Sequence, residues 1–267
     1  MKQKKSRLDA LLVERGLVEN IELAKAIIMS GNVYAGGNQV NSAGTQISLE
    51  TDIVIRGKKE FVSRGGYKLK KALDFFSVSP QGKVCIDCGA STGGFTDCLL
   101  QSGARLVYAV DVAYGQLAWS LRNDPRVIVM ERTNIRNINN DMFIDKPEIA
   151  VIDVSFMSLS MVLPLMRGLL EGNGDTICLV KPQFEAPRSL VGERGVVRDS
   201  GTHLEVLDSF LTGAHRMGYV PKGLTYSPIQ GPEGNIEYLA WLGIRGEKAI
   251  IDANAVVHES HEYFASK

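Results

Sequence analysis

Two lysines and two acids stand where this chain would expose chemistry rather than bury it. The stretch ICLVKPQFEAP begins as a buried strand, with Ile177, Cys178, Leu179 and Val180 in a row, then ends on Lys181 one residue before Pro182 stops it. VIDVSFMSL repeats the design, an apolar strand that ends on Asp153 and turns through Ser155. In NIEYLAWLGI, Glu237 opens a strand whose alternation sends Glu237, Leu239 and Trp241 to one face. Lys68 sits in the first turn of the helix that follows RGGY. Singly, each reads as readily as a surface ion pair. Gathered at one rim, they suit the activation of a hydroxyl for an in-line displacement. A free alcohol is a poor nucleophile, and a desolvated lysine can lose its proton near neutral pH and act as general base. An adjacent acid orients that lysine, a second cation holds the incoming hydroxyl or phosphate, and alignment contributes as much as the base.

A second constellation lies in VCIDCGASTGGFTDCLL, which runs from strand through turn into helix. Asp87 and Gly89 end the strand, Ala90, Ser91 and Thr92 follow, Gly93 and Gly94 permit a tight turn, and Phe95 begins a buried helix face. Such a turn brings bare backbone close to a ligand, and the helix N-terminus favours an anionic group. The next strand ends on Asp111, twenty-four residues after Asp87, where a carboxylate can accept hydrogen bonds from a ribose diol. Dinucleotides use a similar turn, and a purely structural turn is a third reading. Two features favour S-adenosylmethionine. The acid ahead of the first glycine suits that cofactor's amino-acid end and would repel a pyrophosphate, and the G-x-G-x-x-G spacing is absent. The expected cofactor contacts are residues 87 and 89–95, Asp111 and Asp153.

The elements that must position these residues alternate. After the amphipathic helix YKLKKALDFF come strand patterns KVCID, RLVYAVD, RVIVM, IAVIDVS, TICLVK, GYVPKGLTYS and NIEYLAWLGI. Helix patterns FTDCLLQSG, QLAWSLRN, LSMVLPLMRGLL and HLEVLDSFLTGAHRMG lie among them. This alternation predicts an α/β, Rossmann-like sheet of seven strands with one antiparallel, whose ligands sit beyond the carboxyl ends of the strands. The antiparallel strand would bring Glu237, at its start, level with those ends. Ahead of it lies a small α/β module over residues 1–57, then a linker over 58–63, then the larger domain over 64–267. In the module Ser6 is expected to cap a first helix and Asn20 a second, IELAKAIIMS, closed by Gly31. Short strands NVYAG, QVN and DIVIR follow. His203 is expected to begin a helix without a partner, Trp119 and Trp241 to pack internally. The segment APRSLVGERGVVRDSGTH reads either as a mobile substrate loop with Arg188, Arg194 and Arg198 towards a polyanion or as a plain connector.

Composition narrows the classes. The 267 residues carry 30 basic and 30 acidic side chains, yet residues 1–71 hold 13 basic against 7 acidic and the rest 17 against 23. A small basic piece ahead of a larger acidic one points to a polyanion at the front end, with a solvated surface as the bland alternative. No apolar run is long enough for a membrane span, and Asp9, Glu14 and Arg15 interrupt any secretory core, so a cytoplasmic protein without membrane contact is expected. Cys85 and Cys88 should point to opposite faces of one strand, no second ligand pair follows, and no metal is expected.

In order along almost the whole chain, RLDALLVERG, SRGGYKL, DCGASTGGFTD, VDVAYGQL, DVSFMSL, KPQFE and GNIEYLAWL resemble the TlyA family, the haemolysin A-like ribosomal RNA 2′-O-methyltransferases. The resemblance implies an S4 RNA-binding domain ahead of an FtsJ-type methyltransferase domain, S-adenosylmethionine as cofactor, and ribosomal RNA or ribosomal subunits as partner. A cytidine of the small or large subunit would be the target. It also implies a Lys-Asp-Lys-Glu tetrad on Lys68, Asp153, Lys181 and Glu237, with Lys181 activating the ribose hydroxyl. Expected RNA contacts are Lys4, Lys5, Arg7, Arg15, Lys25 and Arg64, with Lys2 beside them. Two departures touch that surface. S4 modules usually carry Ser-Arg or Thr-Arg where this chain has Asn20-Ile21, and the V-x-V-N-G turn here reads Val33-Tyr34-Ala35-Gly36-Gly37. A membrane-active haemolysin and a non-catalytic ribosome-assembly factor are the rival readings.

Overall fold

The computed structural model describes residues 4–57, 60–170, 172 and 174–267, and the chain divides into two compact units, Met1–Glu60 and Phe61–Lys267. In the first unit β1 (Lys5–Arg7) leads into α1 (Leu8–Glu14) and α2 (Ile21–Met29), followed by β2 (Val33–Ala35), β3 (Asn38–Gln39), β4 (Gln46–Ser48) and β5 (Ile53–Ile55). β1 pairs antiparallel with β4, and β2 lies between β3 and β5. Leu8, Leu11 and Leu12 of α1 meet Ala24 and Ile28 of α2 and Val33 and Ile53 of the strands in a core of their own. Asn20 does cap α2, accepting from the Leu23 N–H at 2.8 Å. Ser6 does not cap α1. It lies inside β1 opposite Ile47, and the cap position falls to Arg7, whose side chain makes no capping bond. The strands at 5–7 and 46–48 were not legible as such, because three residues are too few to show a period. Lys2 and the linker residues 58 and 59 lie outside the described residues.

The second unit begins with Phe61, which is buried in its core. It runs α3 (Gly65–Phe76), β6 (Val84–Cys88), α4 (Gly94–Gln101), β7 (Leu106–Val110), α5 (Trp119–Arg122), β8 (Val127–Met130), β9 (Ile149–Ile152), α6 (Leu159–Leu169) and β10 (Asp175–Val180). Then come α7 (Pro182–Glu185), α8 (Ser200–Arg216), β11 (Val220–Tyr226), β12 (Tyr238–Gly243) and α9 (Ala253–Ala265). The seven strands lie in the order β11-β12-β10-β9-β6-β7-β8, and β12 runs antiparallel to both neighbours. The strands read as continuous apolar runs because both faces are covered. Cys85, Val107, Ile149, Ile177 and Leu239 face α3 and α4, while Ile86, Cys88, Tyr108, Ile152 and Val180 face α6 and α8. Cys85 and Cys88 thus point to opposite sides, as their spacing requires.

Chain order runs outward from β6 in one direction and from β9 in the other, so the sheet's switch point lies between them, where such sheets bind ligands. Two local expectations fail and one helix was not expected. Trp119 is 62% exposed, because its helix shrinks to four residues that cannot turn every apolar side chain inward. The helix α9 was missed, its apolar stripe diluted by His258, His261 and charged neighbours. His203 lies within α8, fully buried and hydrogen-bonded. Among the described residues no helix is long and apolar enough to cross a membrane.

Candidate active site

Lys181 stands at the carboxyl end of β10, and Pro182 takes the first position of α7, where its missing N–H costs nothing. The parallel register pairs Cys178 with Ile152, so the residues just past β9 come level with the end of β10. Lys181 Nζ therefore meets three acceptors: Asp153 Oδ1 at 2.6 Å, the Val154 carbonyl at 3.0 Å and Ser155 Oγ at 3.1 Å. Lys181 is only 8% exposed, hydrogen-bonded to Val154 and Ser155 and ion-paired with Asp153.

The second pair is assembled from more distant parts of the chain. Antiparallel β12 sets Tyr238 opposite Val180, so Glu237 lies at the same rim as Lys181. Its Oε2 is 2.5 Å from Lys68 Nζ on α3, and both side chains are buried. Gly231 makes room for that carboxylate, since a Cβ there would come within 2.9 Å of Glu237 Oε1.

The glycine turn brings β6 to the switch point. Gly89 has φ +91°, and a Cβ on it would stand 2.4 Å from the Asp153 carbonyl oxygen. Only glycine allows the two strand ends to approach so closely. Gly93, at φ +95°, turns the chain into α4 beneath Leu117 and Leu121, which leave no space for a side chain. Asp111 braces the turn from β7, its Oδ2 accepting from the Ser91 N–H at 2.7 Å and its Oδ1 from the Ala113 N–H at 2.8 Å. Asp87 is fully buried under the turn. Its Oδ2 accepts from Thr96 Oγ1 at 2.7 Å, its Oδ1 has no partner, and burial pushes its carboxyl up to about 7.

Two cavities open on these residues. One, of about 420 Å³, is lined by Lys68, Asp153, Lys181 and Glu237 together with Arg64 and by Gly89, Ala90, Ser91, Thr92, Gly94 and Phe95 of the turn. The other, of about 340 Å³, is lined by Asp111, Val110, Val112, Ile135 and Met157. Gly89, Ser91, Asp153 and Ser155 border both, so the chambers meet at the switch point. All four tetrad residues thus reach one cavity, Asp111 lines the other, and Asp87 and Gly93 shape the turn without lining either.

Several neighbours were not singled out by sequence reasoning. Phe156 is 92% exposed with φ +63° and its ring centroid is 5.2 Å from that of Phe184. Glu185 accepts from the Leu159 N–H and from Ser158 Oγ, each at 2.7 Å, tying α7 to the start of α6, and burial raises its carboxyl above the ordinary range. Ser63 and Pro232 line the polar cavity. The available signals were the places of Phe156 and Ser158 in DVSFMSL, of Phe184 and Glu185 in KPQFE and of Ser63 in SRGGYKL; Pro232, ahead of GNIEYLAWL, had none.

Of the expected polyanion contacts in the first unit, Lys4, Lys5 and Lys25 are exposed, Lys25 lying 3.8 Å from Glu22. Arg7 is engaged by Asp9 through Nε at 3.0 Å and Nη2 at 2.6 Å, which holds the Asp9 carboxyl below its usual range. Arg15 donates from Nη1 to the Thr51 carbonyl at 2.8 Å and from Nη2 to that of Leu49. These two arginines therefore brace the unit with part of their donor set. Arg64, in the second unit, is exposed.

Comparison with known proteins agrees with this geometry. Residues 61–244 match the FtsJ-like methyltransferase family, and residues 6–54 match the S4 domain. The chain is 52% identical to "Putative rRNA methyltransferase YqxC" of Bacillus subtilis over 92% of its own length and 89% of that protein's. It is 41% identical to "16S/23S rRNA (cytidine-2'-O)-methyltransferase TlyA" of Mycobacterium tuberculosis over 92% of this chain and 93% of the relative. The solved structure "Putative hemolysin from Streptococcus thermophilus" superposes with a TM-score of 0.75 at 43% identity, covering 99% of this chain and 98% of that one. A glycine turn at the switch point, a buried Lys-Asp-Lys-Glu rim and these matches lead to one assignment: the chain belongs to the FtsJ-like methyltransferases, in the TlyA group that carries an S4 domain ahead of the catalytic unit.

Proposed function

We propose that this protein transfers a methyl group from S-adenosylmethionine to a ribose 2′-hydroxyl of ribosomal RNA, on a cytidine of the small subunit, the large subunit or both, in the cytosol. The observation that carries the reading is Lys181, held 2.6 Å from Asp153, a residue that borders both chambers, one largely apolar beside Asp111 and one lined by the four charged residues. The specificity named for the Mycobacterium tuberculosis relative supports the substrate class.

The residues suit the cofactor. The cradle at Gly89 is one that a Cβ would fill, the Asp111 carboxylate stands beside an apolar slot wide enough for a base, and Asp87 keeps one buried oxygen unpartnered next to the turn. When bound, S-adenosylmethionine would supply an electrophilic methyl group on a sulfonium, whose carbon–sulfur bond breaks in the transfer, the sulfur keeping the electron pair as a neutral thioether. Asp111 would then accept from the ribose hydroxyls, while the bare backbone of Gly89 to Ser91 lets the amino-acid end pass close to the turn. Lys181 takes the proton of the attacking 2′-hydroxyl as the new carbon–oxygen bond forms. It enters that step as the free amine, its own proton having passed to Asp153 or solvent, and Val154 and Ser155 hold its nitrogen in line. Lys68, fixed by Glu237, supplies a buried positive charge to the oxygens around the target ribose. Arg64 and the exposed lysines Lys4, Lys5 and Lys25 meet phosphates, which positions RNA without reading its sequence.

The test is transfer of radiolabelled methyl to unmethylated small and large subunits and to free ribosomal RNA, with wild type beside Lys181→Ala. Label entering one RNA with wild type and falling at least about 100-fold in the variant, with cofactor affinity changed little, is the expected result. Binding of RNA without transfer by folded wild type would make an assembly factor the better reading.

A further inference from the structure

Residues 187–199 connect α7 to α8, and they are tied at Gly195 and Val197 to the stretch that carries Glu237. The Val197 N–H donates to Asn235 Oδ1 at 3.0 Å, and Asn235 Nδ2 donates to the Gly195 carbonyl at 2.9 Å. On the other side His203 Nε2 donates to the Val197 carbonyl at 3.0 Å, and His203 Nδ1 meets the Tyr238 hydroxyl at 2.7 Å. Val196 and Val197 are buried, and Asn235 is 3% exposed. This segment, left open by its sequence as a mobile loop or a connector, is thus held by Asn235 and, through His203, by Tyr238, the residues that flank Ile236 and Glu237. The turn before Asn235 also carries Pro232, which lines the polar cavity.

What the anchored segment displays is basic. Arg188, Arg194 and Arg198 are exposed, and no hydrogen bond or ion pair to their guanidinium groups is present among the described residues. Arg194 is held at φ +60°, a conformation that costs energy for a side chain with a Cβ and persists only where the surroundings impose it. Arg194 and Arg198 share a cavity of about 360 Å³ with Glu193, Gly192, Leu190 and Val196. The neighbouring acid Asp199 is engaged, its Oδ2 capping α8 through the Thr202 N–H at 2.7 Å and Thr202 Oγ1 at 2.8 Å. Guanidinium groups facing a recess that also holds one free carboxylate match a partner with both phosphate oxygens and hydroxyl donors. A ribose-phosphate backbone has both, whereas an acidic peptide has no hydroxyl at each repeat.

We propose that residues 187–199 form a second RNA grip, in which Arg194 and Arg198 take backbone phosphates beside the target nucleotide, and that Asn235 is the positioning residue that fixes this grip relative to Glu237. The proposal rests on the ribosomal RNA reading above and deepens it. A prealigned grip needs no ordering on binding, so its contacts contribute their full strength to affinity.

The experiment measures dissociation constants of unmethylated subunits and of protein-free ribosomal RNA as a function of salt, together with KM and kcat for methyl transfer. The proteins are full-length wild type, Arg194→Gln/Arg198→Gln, Asn235→Ala and the triple combination. The arginine pair variant is expected to bind about tenfold more weakly on both RNA forms, with kcat changed less than threefold and the slope of log affinity against log salt reduced by about 1.4 for two lost phosphates. Asn235→Ala is expected to lower the slope in the same way, and the triple variant to add little to it, because both changes disable one grip. An unchanged slope in the arginine pair variant would overturn the proposal, and so would weakening on intact subunits alone, which would identify a ribosomal protein as partner. A lowered melting temperature in Asn235→Ala with an unchanged slope would overturn its positioning role. If Asn235→Ala does not fold, Asn235→Asp retains the acceptor for Val197 and the arginine pair still tests the grip. Binding and transfer are read separately, so wild type that binds with the expected slope but transfers nothing would defeat the methyltransferase reading and leave the grip standing.

Discussion

Lys68 and Glu237 form a buried pair whose two charges depend on each other. Removing one partner of such a pair leaves the other uncompensated in a low-dielectric site, which costs about 3–5 kcal/mol. Glu237→Ala is therefore expected to lose roughly that much stability in urea denaturation. The double change Lys68→Met/Glu237→Leu should recover most of the stability and none of the methyl transfer. Recovery of both would mean the pair is only structural. Asp87 gives a second prediction, with its sign set by burial. Its folded pKa of about 7 lies above the ordinary 3.8, so its contribution to stability is fully present below about pH 4 and is lost as pH rises through about 7. Over that window the loss is on the order of 4 kcal/mol. Thermal melts of wild type and Asp87→Asn from pH 4 to pH 8 should converge at the acid end and separate at the alkaline end, with the variant more stable there. Parallel curves would show that Asp87 ionises normally.

At the scale of elements, the rim that carries the proposed catalytic residues depends on how α7 and α6 are joined. Glu185 accepts from two groups at the start of α6, so one carboxylate both caps a helix and fixes the loop that carries Ser155 and Phe156. Glu185→Ala should cost about 1–2 kcal/mol, the usual range for a lost cap, and should lower kcat more than the affinity for cofactor. Glu185→Gln retains an acceptor for the Leu159 N–H and is expected to recover most of both. Equal kcat in the two variants would separate the cap from catalysis. The sheet itself was largely readable beforehand, because strands covered on both faces leave long apolar runs bounded by polar residues. Helix α5 was read too long, over QLAWSLRN, while α9 and the strands at 5–7 and 46–48 were not read at all, since a diluted stripe or three residues carry too little periodicity.

The two units have separate cores. Every buried residue of the first core lies between Leu8 and Ile53, and those of the second unit's two cores lie between Phe61 and Val257. A fragment spanning residues 61–267 is therefore expected to fold alone and to bind S-adenosylmethionine within about threefold of the full chain, by calorimetry. Its affinity for ribosomal RNA should fall and its salt slope decrease, because the phosphate contacts proposed for Lys4, Lys5 and Lys25 would be gone. A fragment that aggregates or loses the cofactor would show that the units share a folding core.

What the sequence determined by itself is which residues end strands and which turn is free of side chains. Lys181, Asp153 and Glu237 were legible because an apolar run that stops on a charge marks the rim of a sheet, and Gly89 to Gly94 because only glycine permits that turn. These are properties of neighbours along the chain. The tertiary structure decided who meets whom. Lys181 pairs with Asp153 because β9 and β10 are parallel neighbours in one register, and Lys68 reaches Glu237 because β12 enters antiparallel beside β10. The partners of His203, the clamp of Asn235 and the exposure of Trp119 likewise follow from packing between segments far apart in the chain. Local propensity carries no record of strand order, and a long side chain finds its partner only after that order is set.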